Sequence, residues 1–392
     1  MTAEKFNIAG VNFSSIHVRG SHDWVFVEVS DGDGHTGLAE LAGPGAATEI
    51  ARLTAEYAER LRLSPPTDES EVVSVLGLTV AQLEGDRKMA TAVSALRTAI
   101  ADAQSRRAGV SLTEFLGGEK TDSVKLYGNL NRSMLPDDDG PRDRSPEAFA
   151  TAARRAVSLG YEVVKCAPFD EARAPFEEPG LPEAARAGVD RIAAVREAIG
   201  DDVALFVDCH SRFDVDSAVA LEITLRESNV AWYEEAVDGI EHPDLMKRIR
   251  ERATMDVAGA ETGYGVAVFR RMIEGGVMDV VMPDVKFCGG AGEAVKIGRI
   301  LESFAPRSVS MHSPSGPASQ LASAHATAAF AYPSTGEPRP LEHAWGEAEW
   351  RPSVLEPPER IGGGSIYIPD GPGLGARLDP ATVARRGRRW SL

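Results

Sequence analysis

Short apolar runs alternate with helical patterns through the middle of the chain. A run rich in Val, Leu, Ala or aromatic residues recurs about every 25 to 45 residues, and segments such as 145–159, 182–199 and 215–227 lie between the runs. Runs of this kind are typical of buried parallel strands joined by crossover helices. The predicted strands end near Asn129, Lys165, Asp208, Glu234, Glu261, Asp284, His312 and Glu342. Eight such strands predict a TIM-type barrel.

The two ends of the chain have different patterns. Residues 5–41 alternate apolar and polar positions around the turn DGDG, which predicts an antiparallel meander, and residues 45–118 are helical. The tail from about 352 onward gathers turn residues and loses periodicity, so we expect it to leave the barrel. The chain is therefore predicted to be an α/β protein with a barrel and a smaller domain.

Acidic residues end three consecutive predicted strands. Asp208, Glu234 and Glu261 are separated by 234 − 208 = 26 and 261 − 234 = 27 residues, which is about one strand-helix unit each. Single acids after strands are commonly helix caps. Three carboxylates at one barrel mouth, however, repel one another unless a cation lies among them, and an all-oxygen ligand set suits Mg²⁺. The sequence therefore predicts a Mg²⁺ site.

Two histidines follow strands that lead to the same mouth. Asp284 and His312 end neighbouring predicted strands, so the carboxylate can orient the imidazole and raise its pKa. His210 comes two residues after Asp208, and side chains two apart on a strand face the same side. We predict that His312 is a base and that His210 is a proton donor, although a lone histidine is often only a satisfied polar residue.

Four further polar residues lie at predicted strand ends or just beyond them. Lys165 is predicted to face the barrel interior, either as a catalytic group or as a balance for nearby carboxylates. Glu342 could hold the substrate by a hydrogen bond. Asn129 and Arg132 follow the first barrel strand, and we predict that they bind substrate, while Asn131 and the loop 19–24 are also expected to set specificity.

Composition narrows the possible partners. The chain has 42 Lys and Arg against 59 Asp and Glu, a formal net charge of −17, and no basic cluster longer than RRGRR. This argues against nucleic acid or an anionic membrane as a partner. The three cysteines are widely spaced and predict reduced thiols. With no signal-like N-terminus and no apolar stretch of membrane length, we expect a cytoplasmic protein, and we also expect a homo-oligomer.

The ordered motifs VKCA, FVDCH, YEEAV, GAET, MPDVKFCGG, MHS and LEH resemble the mandelate racemase subgroup of the enolase superfamily. The resemblance covers essentially the whole chain. It implies a modified TIM barrel over 123–351 and an α+β capping domain over 1–122, to which a C-terminal segment over 352–392 returns.

The same resemblance implies a chemistry. Mg²⁺ would bind to Asp208, Glu234 and Glu261, and removal of the proton α to a carboxylate would give a metal-stabilised enediolate. Asp284 and His312 match the family's dyad, and Glu342 matches its electrophilic glutamate.

One departure from the family pattern selects among the reactions. Many members have a second lysine where this chain has Ala167, so a two-base racemase loses its second partner. The Asp208-x-His210 pattern is instead similar to the galactonate and mannonate dehydratases, in which that histidine is the general acid. We therefore predict a hydro-lyase that converts a sugar acid into a 2-keto-3-deoxy acid. An epimerase, racemase or lactone cycloisomerase that uses Lys165 opposite His312 remains the alternative, and a non-catalytic barrel protein is a third class.

Overall fold

An antiparallel sheet forms the N-terminal part of the protein. The computed structural model describes residues 4–41, 46–177, 180–330 and 338–391. The sheet contains the predicted meander, with strands β1 (Ile8–Arg19), β2 (His22–Asp31) and β3 (Thr36–Leu41). Side chains alternate between the two faces of the sheet, so that Trp24 and Phe26 pack with the barrel core, and the opposite, apolar face carries Val25, Val27 and Val29.

Helices cover that apolar face. They are α1 (Ala47–Leu63), α2 (Val72–Val75), α3 (Val80–Gly85), α4 (Arg87–Ala108) and α5 (Leu112–Phe115). The long helix α4 begins at Asp86, whose side chain accepts hydrogen bonds from two backbone N–H groups, and ends at Gly109 in a left-handed conformation. It packs so closely on β3 that a Cβ at Gly37 would lie 1.8 Å from the carbonyl oxygen of Ala99.

Parallel strands form a closed ring in the middle of the chain. They are β4 (Ser123–Asn129), β5 (Val163–Cys166), β6 (Ala204–Asp208), β7 (Val230–Glu234), β8 (Asp256–Gly259), β9 (Val280–Val281) and β10 (Leu341–His343). Neighbours pair in chain order from β4 to β9, and β10 pairs with β4. The seventh barrel position is a single parallel bridge from Val281 to Val309 rather than a full strand. The predicted capped TIM-type fold is confirmed.

Seven helices surround the ring. They are α6 (Pro146–Ser158), α7 (Arg186–Ile199), α8 (Val215–Glu227), α9 (Pro243–Arg250), α10 (Gly265–Glu274), α11 (Gly290–Glu302) and α12 (Pro317–Ala329) within the described part of the chain. Inside the ring, Tyr127, Phe206 and Trp232 are buried, and the last two stack with ring centroids 4.4 Å apart. These aromatic rings fill the barrel interior, so the polar strand ends lie at the mouth above a packed core.

The C-terminal segment contacts both parts of the molecule. It contains β11 (Leu355–Glu356), β12 (Arg360–Gly362), β13 (Ser365–Tyr367), β14 (Arg377–Leu378), α13 (Pro380–Arg386) and β15 (Gly387–Trp390). Strand β13 pairs with barrel strand β4, whereas β15 adds to β1 of the capping sheet. The domain boundaries at 122 and 351 stay a prediction. Across the described ranges, none of the helices has the length and apolarity that a membrane span needs.

Candidate active site

The three carboxylates predicted to bind metal lie at the ends of neighbouring strands. Asp208 ends β6 and is paired in register with Glu234, which ends β7, and Glu261 follows β8 by two residues. Asp208 and Glu234 are buried, and the Glu261 side chain is 25% exposed. Parallel strands bring these acids to one end of the barrel because their carboxyl ends point in the same direction.

A buried lysine lies among these carboxylates. The Nζ atom of Lys165 is 2.7 Å from Glu234, 2.8 Å from Glu342 and 3.5 Å from Asp208. Burial lowers the pKa of Lys165, but Glu234 and Glu342 outweigh burial, and the pKa stands well above its usual value. Its ammonium group thus balances three acids at the base of the mouth.

The side chains do not form a closed ligand set. Among residues 4–41, 46–177, 180–330 and 338–391, no three His, Cys, Asp or Glu side chains are arranged to hold a metal ion. The Glu234 carboxylate accepts hydrogen bonds from Lys165 and from the indole N–H of Trp232, at 2.7 and 2.9 Å. Glu234 would have to turn away from these donors to share a cation with Asp208 and Glu261.

His312 is held between two carboxylates. Its Nδ1 atom is 2.8 Å from Asp284, and its Nε2 atom is 2.9 Å from Glu261 and 3.8 Å from Glu342. Asp284 is itself fixed, because it is fully buried and accepts a hydrogen bond from the backbone N–H of Lys286 at 2.8 Å. Burial lowers the pKa of His312, but Glu261 and Glu342 raise it more, so it lies well above its usual range. The predicted dyad geometry leaves Nε2 as the nitrogen that faces the mouth.

His210, like His312, lies between two carboxylates. Its Nδ1 atom is 2.9 Å from Asp170, and its Nε2 atom is 3.2 Å from Asp208. The backbone at His210 has φ 46°, an uncommon conformation for a residue with a side chain, and its N–H donates to Asp208 at 2.9 Å. Asp208 is the main cause that raises the pKa of His210 well above its usual value.

Glu342 is the middle residue of the short strand β10 and is completely buried. One carboxylate oxygen accepts hydrogen bonds from Asn129 and Lys165, each at 2.8 Å, and the other accepts from the backbone N–H of Ser313 at 3.2 Å. Asn129 therefore positions Glu342, and it also lines the mouth.

Arg132 lines the mouth too, while its Nη2 atom donates to Glu347 and lies 2.9 Å from His22.

These residues surround one cavity of about 450 Å³. All ten residues predicted from the sequence line it except Glu234, Asp284 and Glu342, which contact residues that do. A cavity of this size matches a small polar ligand.

Asp170 is a residue of this cavity that the sequence reasoning missed. Asp170 lies in the stretch after β5, and its acidic side chain five residues beyond Lys165 was the available signal. Asn131 forms two hydrogen bonds to the backbone of Ala167, donating at 2.7 Å and accepting at 2.8 Å. Ala167, the position of the missing second lysine, is thus held through its backbone.

A capped barrel with acids and histidines at its strand ends defines a class of enzyme. The family model of the mandelate racemase / muconate lactonizing enzyme N-terminal domain matches residues 3–117, and the enolase C-terminal domain-like model matches residues 148–382. The chain belongs to the enolase superfamily, in its mandelate racemase subgroup. Members of this superfamily generally use Mg²⁺.

Several characterised proteins are similar over most of the chain. A D-gluconate dehydratase of Thermoproteus tenax is 28% identical over 76% of this chain, which spans only 56% of that protein. A D-xylonate dehydratase of Haloferax volcanii is 28% identical, covering 92% of this chain and 85% of that one. A D-galactarolactone cycloisomerase of Agrobacterium fabrum is 30% identical, covering 91% and 89%.

Solved structures agree with the fold. A mandelate racemase/muconate lactonizing enzyme-like protein from Rubrobacter xylanophilus superimposes with a TM-score of 0.83 at 26% identity, over 98% of each chain. Dehydratases recur among the relatives, so the predicted enzyme class, a carbon–oxygen lyase, is confirmed.

Proposed function

We propose that this protein is a Mg²⁺-dependent dehydratase of a sugar acid, which gives a 2-keto-3-deoxy acid. The observation that carries the proposal is the pair of carboxylate-supported histidines on one cavity. His312 has Asp284 at 2.8 Å and His210 has Asp170 at 2.9 Å. Loss of water needs one group to take a proton and another to give one, and the cavity supplies both. The dehydratases among the relatives support the same reaction class.

The donor chemistry of the mouth fits Mg²⁺. Asp208, Glu234 and Glu261 offer only carboxylate oxygens, at the ends of three adjacent strands and close to an excess of negative charge. Mg²⁺ prefers such hard oxygen ligands and keeps positions for water and substrate. When bound, Mg²⁺ would supply positive charge that makes the proton α to the substrate carboxylate more acidic.

The residues of the chain would perform the proton transfers. Nε2 of His312 takes the α proton, and Asp284 keeps Nδ1 protonated so that Nε2 is the accepting nitrogen. The electron pair left at the α carbon forms a double bond to the β carbon while the β carbon–oxygen bond breaks. His210 gives its proton to the departing hydroxide, which leaves as water, and the resulting enol becomes the 2-keto acid.

Lys165 would hold the reacting carboxylate of the substrate, and Glu342 and Asn129 would fix the position of Lys165. Lys165 and Asn129 donate to the same oxygen of Glu342, so that glutamate is fixed in the mouth beside His312. Fixed polar groups cost no reorganisation when charge moves during the reaction.

A product assay tests the proposal. The purified protein with Mg²⁺ is incubated with a panel of aldonic and aldaric acids, and 2-keto acids are detected as semicarbazones. We expect one or a few acids to give 2-keto-3-deoxy product, with one solvent-derived hydrogen at C3. If the protein binds Mg²⁺ but no acid in the panel loses water, the dehydratase assignment is wrong.

A lactone cycloisomerase is the second candidate, and the 30% identical relative of that name favours it. Such a reaction converts one lactone into an isomer without loss of water. Parallel incubation of an aldaric acid and of its lactone, followed by mass spectrometry, separates the two, because a dehydratase consumes the open-chain acid with loss of water whereas a cycloisomerase converts the lactone into a product of the same mass.

A further inference from the structure

A second cavity adjoins the mouth, between the capping sheet and the barrel. It has a volume of about 350 Å³ and shares Arg132, Leu135, Pro136 and Pro314 with the first cavity. We call it the distal cavity; its charged and titratable lining residues are Arg19, His22, Arg132 and Lys286. Its described lining contains no carboxylate, whereas Asp170, Glu171, Asp208 and Glu261 all line the mouth.

The carboxylates near the distal cavity do not balance its cations. Asp137 is shared by Arg142 at 2.6 Å and Arg19 at 3.8 Å. Glu347 is fully buried and accepts from Arg132, His22 and Arg351, although Arg351 is already paired with Glu359 at 2.7 Å. In these ion pairs, four guanidinium groups therefore face three carboxylates, Asp137, Glu347 and Glu359.

Lys286 adds to this charge from the barrel side. Its Nζ atom donates to Ser315 and lies 3.5 Å from Asp284, which is already paired with His312. Lys286 is buried. A second buried acid, Glu40, has its pKa raised by burial, and the charge of Lys286 acts against that rise.

Neither arginine has its hydrogen bonds completed by the described residues. Arg19 Nη2 donates to the backbone carbonyl of Glu347, but its Nη1 atom is buried without a partner, as is Nε of Arg132. Burial and repulsion from Arg142 lower the pKa of Arg19, since Asp137 and Glu347 do not compensate for them. Buried donors without partners are costly, and an anion is the partner that satisfies them best.

The cavity is preformed by the docking of the β1–β2 turn. Gly20 has φ +52°, its N–H donates to Asp138 at 2.7 Å, and a Cβ there would lie 2.9 Å from the carbonyl oxygen of Pro136. The hairpin tip thus lies directly against the barrel loop and fixes Arg19 beside Arg132. Preformed sites lose less entropy on binding.

From this arrangement we infer that the substrate is a sugar acid with a second oxyanion at its far end, bound by Arg19 and Arg132 in the distal cavity. The inference rests on the proposed function for the reacting end, whose carboxylate occupies the mouth. A terminal carboxylate, as in an aldaric acid, and a terminal phosphate present the same chemistry to guanidinium groups.

Matched substrates test the inference without any mutation. Galactarate and galactonate, and glucarate and gluconate, differ only in a terminal carboxylate or hydroxymethyl group, and 6-phosphogluconate adds the phosphate arm. We expect kcat/KM to be about 10- to 100-fold higher for a dianionic member than for its neutral-ended partner, as for a charge-assisted hydrogen-bonded pair. Preference for the aldarate identifies a carboxylate source, and preference for the phosphate ester identifies the other. Equal kcat/KM within every pair overturns the inference.

Variants of Arg19 assign the preference to the distal cavity. Arg19→Gln should reduce the ratio of kcat/KM for the dianionic over the neutral-ended acid about tenfold, through KM rather than kcat, and Arg19→Lys should restore part of it. Arg389→Gln is the matched control, because Arg389 also belongs to the capping sheet and pairs with Glu28 at 2.6 Å outside the site. If Arg19→Gln lowers both substrates equally, Arg19 only ties the cap to the barrel and the inference fails.

A binding measurement separates this inference from the proposed reaction. In a His312→Asn background, titration calorimetry with Mg²⁺ present measures galactarate and galactonate affinity without turnover. Tighter galactarate binding that is lost in Arg19→Gln supports the distal site even if no 2-keto acid ever forms, a result that would refute only the dehydratase. Product formation from both acids with equal affinities would refute only the distal site.

Discussion

The barrel mouth and the distal cavity differ in how their charges are compensated. In the mouth, Lys165 contacts three carboxylates, and His210 and His312 each contact two within 3.2 Å. In the distal cavity, Arg19 and Arg132 share few acids and leave buried nitrogen atoms without partners.

The two cavities therefore suit different roles, proton transfer in the mouth and substrate selection in the distal cavity. Groups that move protons need their orientation and pKa fixed before the substrate arrives, and neighbouring acids do this. Groups that select a substrate gain most when the ligand completes their hydrogen bonds, because an analogue without the anion leaves them unpaired. Changes in the mouth should therefore lower the reaction rate, and changes in or beside the distal cavity should alter selectivity or stability.

Removal of metal should have the largest effect on the mouth. Excess chelator is expected to abolish product formation and Mg²⁺ to restore it, since Asp208, Glu234 and Glu261 offer hard oxygen ligands. Glu234→Gln should weaken Mg²⁺ binding about tenfold or more by calorimetry, because one anionic ligand becomes neutral. Glu222→Gln, a buried glutamate on α8, is the control. Full activity in chelator would show that the mouth works without a metal.

Loss of the base, His312, should have the next largest effect. His312→Asn should lower product formation about 10²- to 10⁴-fold and also stop exchange of the α proton with solvent deuterium. His242→Asn, at an exposed histidine immediately before α9, should leave both unchanged. Exchange at the wild-type rate in His312→Asn would transfer the role of base to Lys165 and favour an epimerase.

Loss of the general acid His210 should have a smaller effect, which differs between product formation and α-proton exchange. His210→Asn is expected to lower 2-keto product about 10²-fold while α-proton exchange continues, because this histidine acts only on the leaving hydroxide. Asp170→Asn should lower product formation about tenfold, because Asp170 holds Nδ1 of His210 at 2.9 Å, and it should shift the pH dependence of kcat. Equal loss of exchange and product in His210→Asn would contradict the assignment.

The contact of the β1–β2 turn with the barrel loop, beside the distal cavity, should give the smallest effect, and on stability rather than on rate. Gly20→Ala places a methyl group 2.9 Å from the Pro136 carbonyl, whereas Gly77→Ala, at φ +66°, has nothing within 4 Å. Both pay about 1 kcal/mol for the left-handed backbone, and Gly20→Ala should cost about 1–2 kcal/mol more in the free energy of unfolding, measured by urea titration. Equal costs would mean that the hairpin tip is not tightly docked.

Much of the mouth was predictable from the chain. The period of the strand-helix units places Asp208, Glu234 and Glu261 at successive strand ends, and the structure puts them there. Alternation along a strand predicts an inward Lys165, and the register Lys165 to Phe206 confirms that it points into the ring. Such features depend on local periodicity, which a sequence displays directly.

The partners of these residues depended on tertiary structure. Asp170 reaches His210 across 40 positions, Asn131 supports the backbone of Ala167, and the capping hairpin brings Arg19 to Arg132. Glu234 also turns towards Lys165 and Trp232, which strand position alone does not specify. The sequence by itself determined which chemical groups stand at the mouth, because strand ends follow from periodicity. Only the folded chain decided which group each one contacts, because loop paths and the docking of the cap bring together residues with no regular spacing.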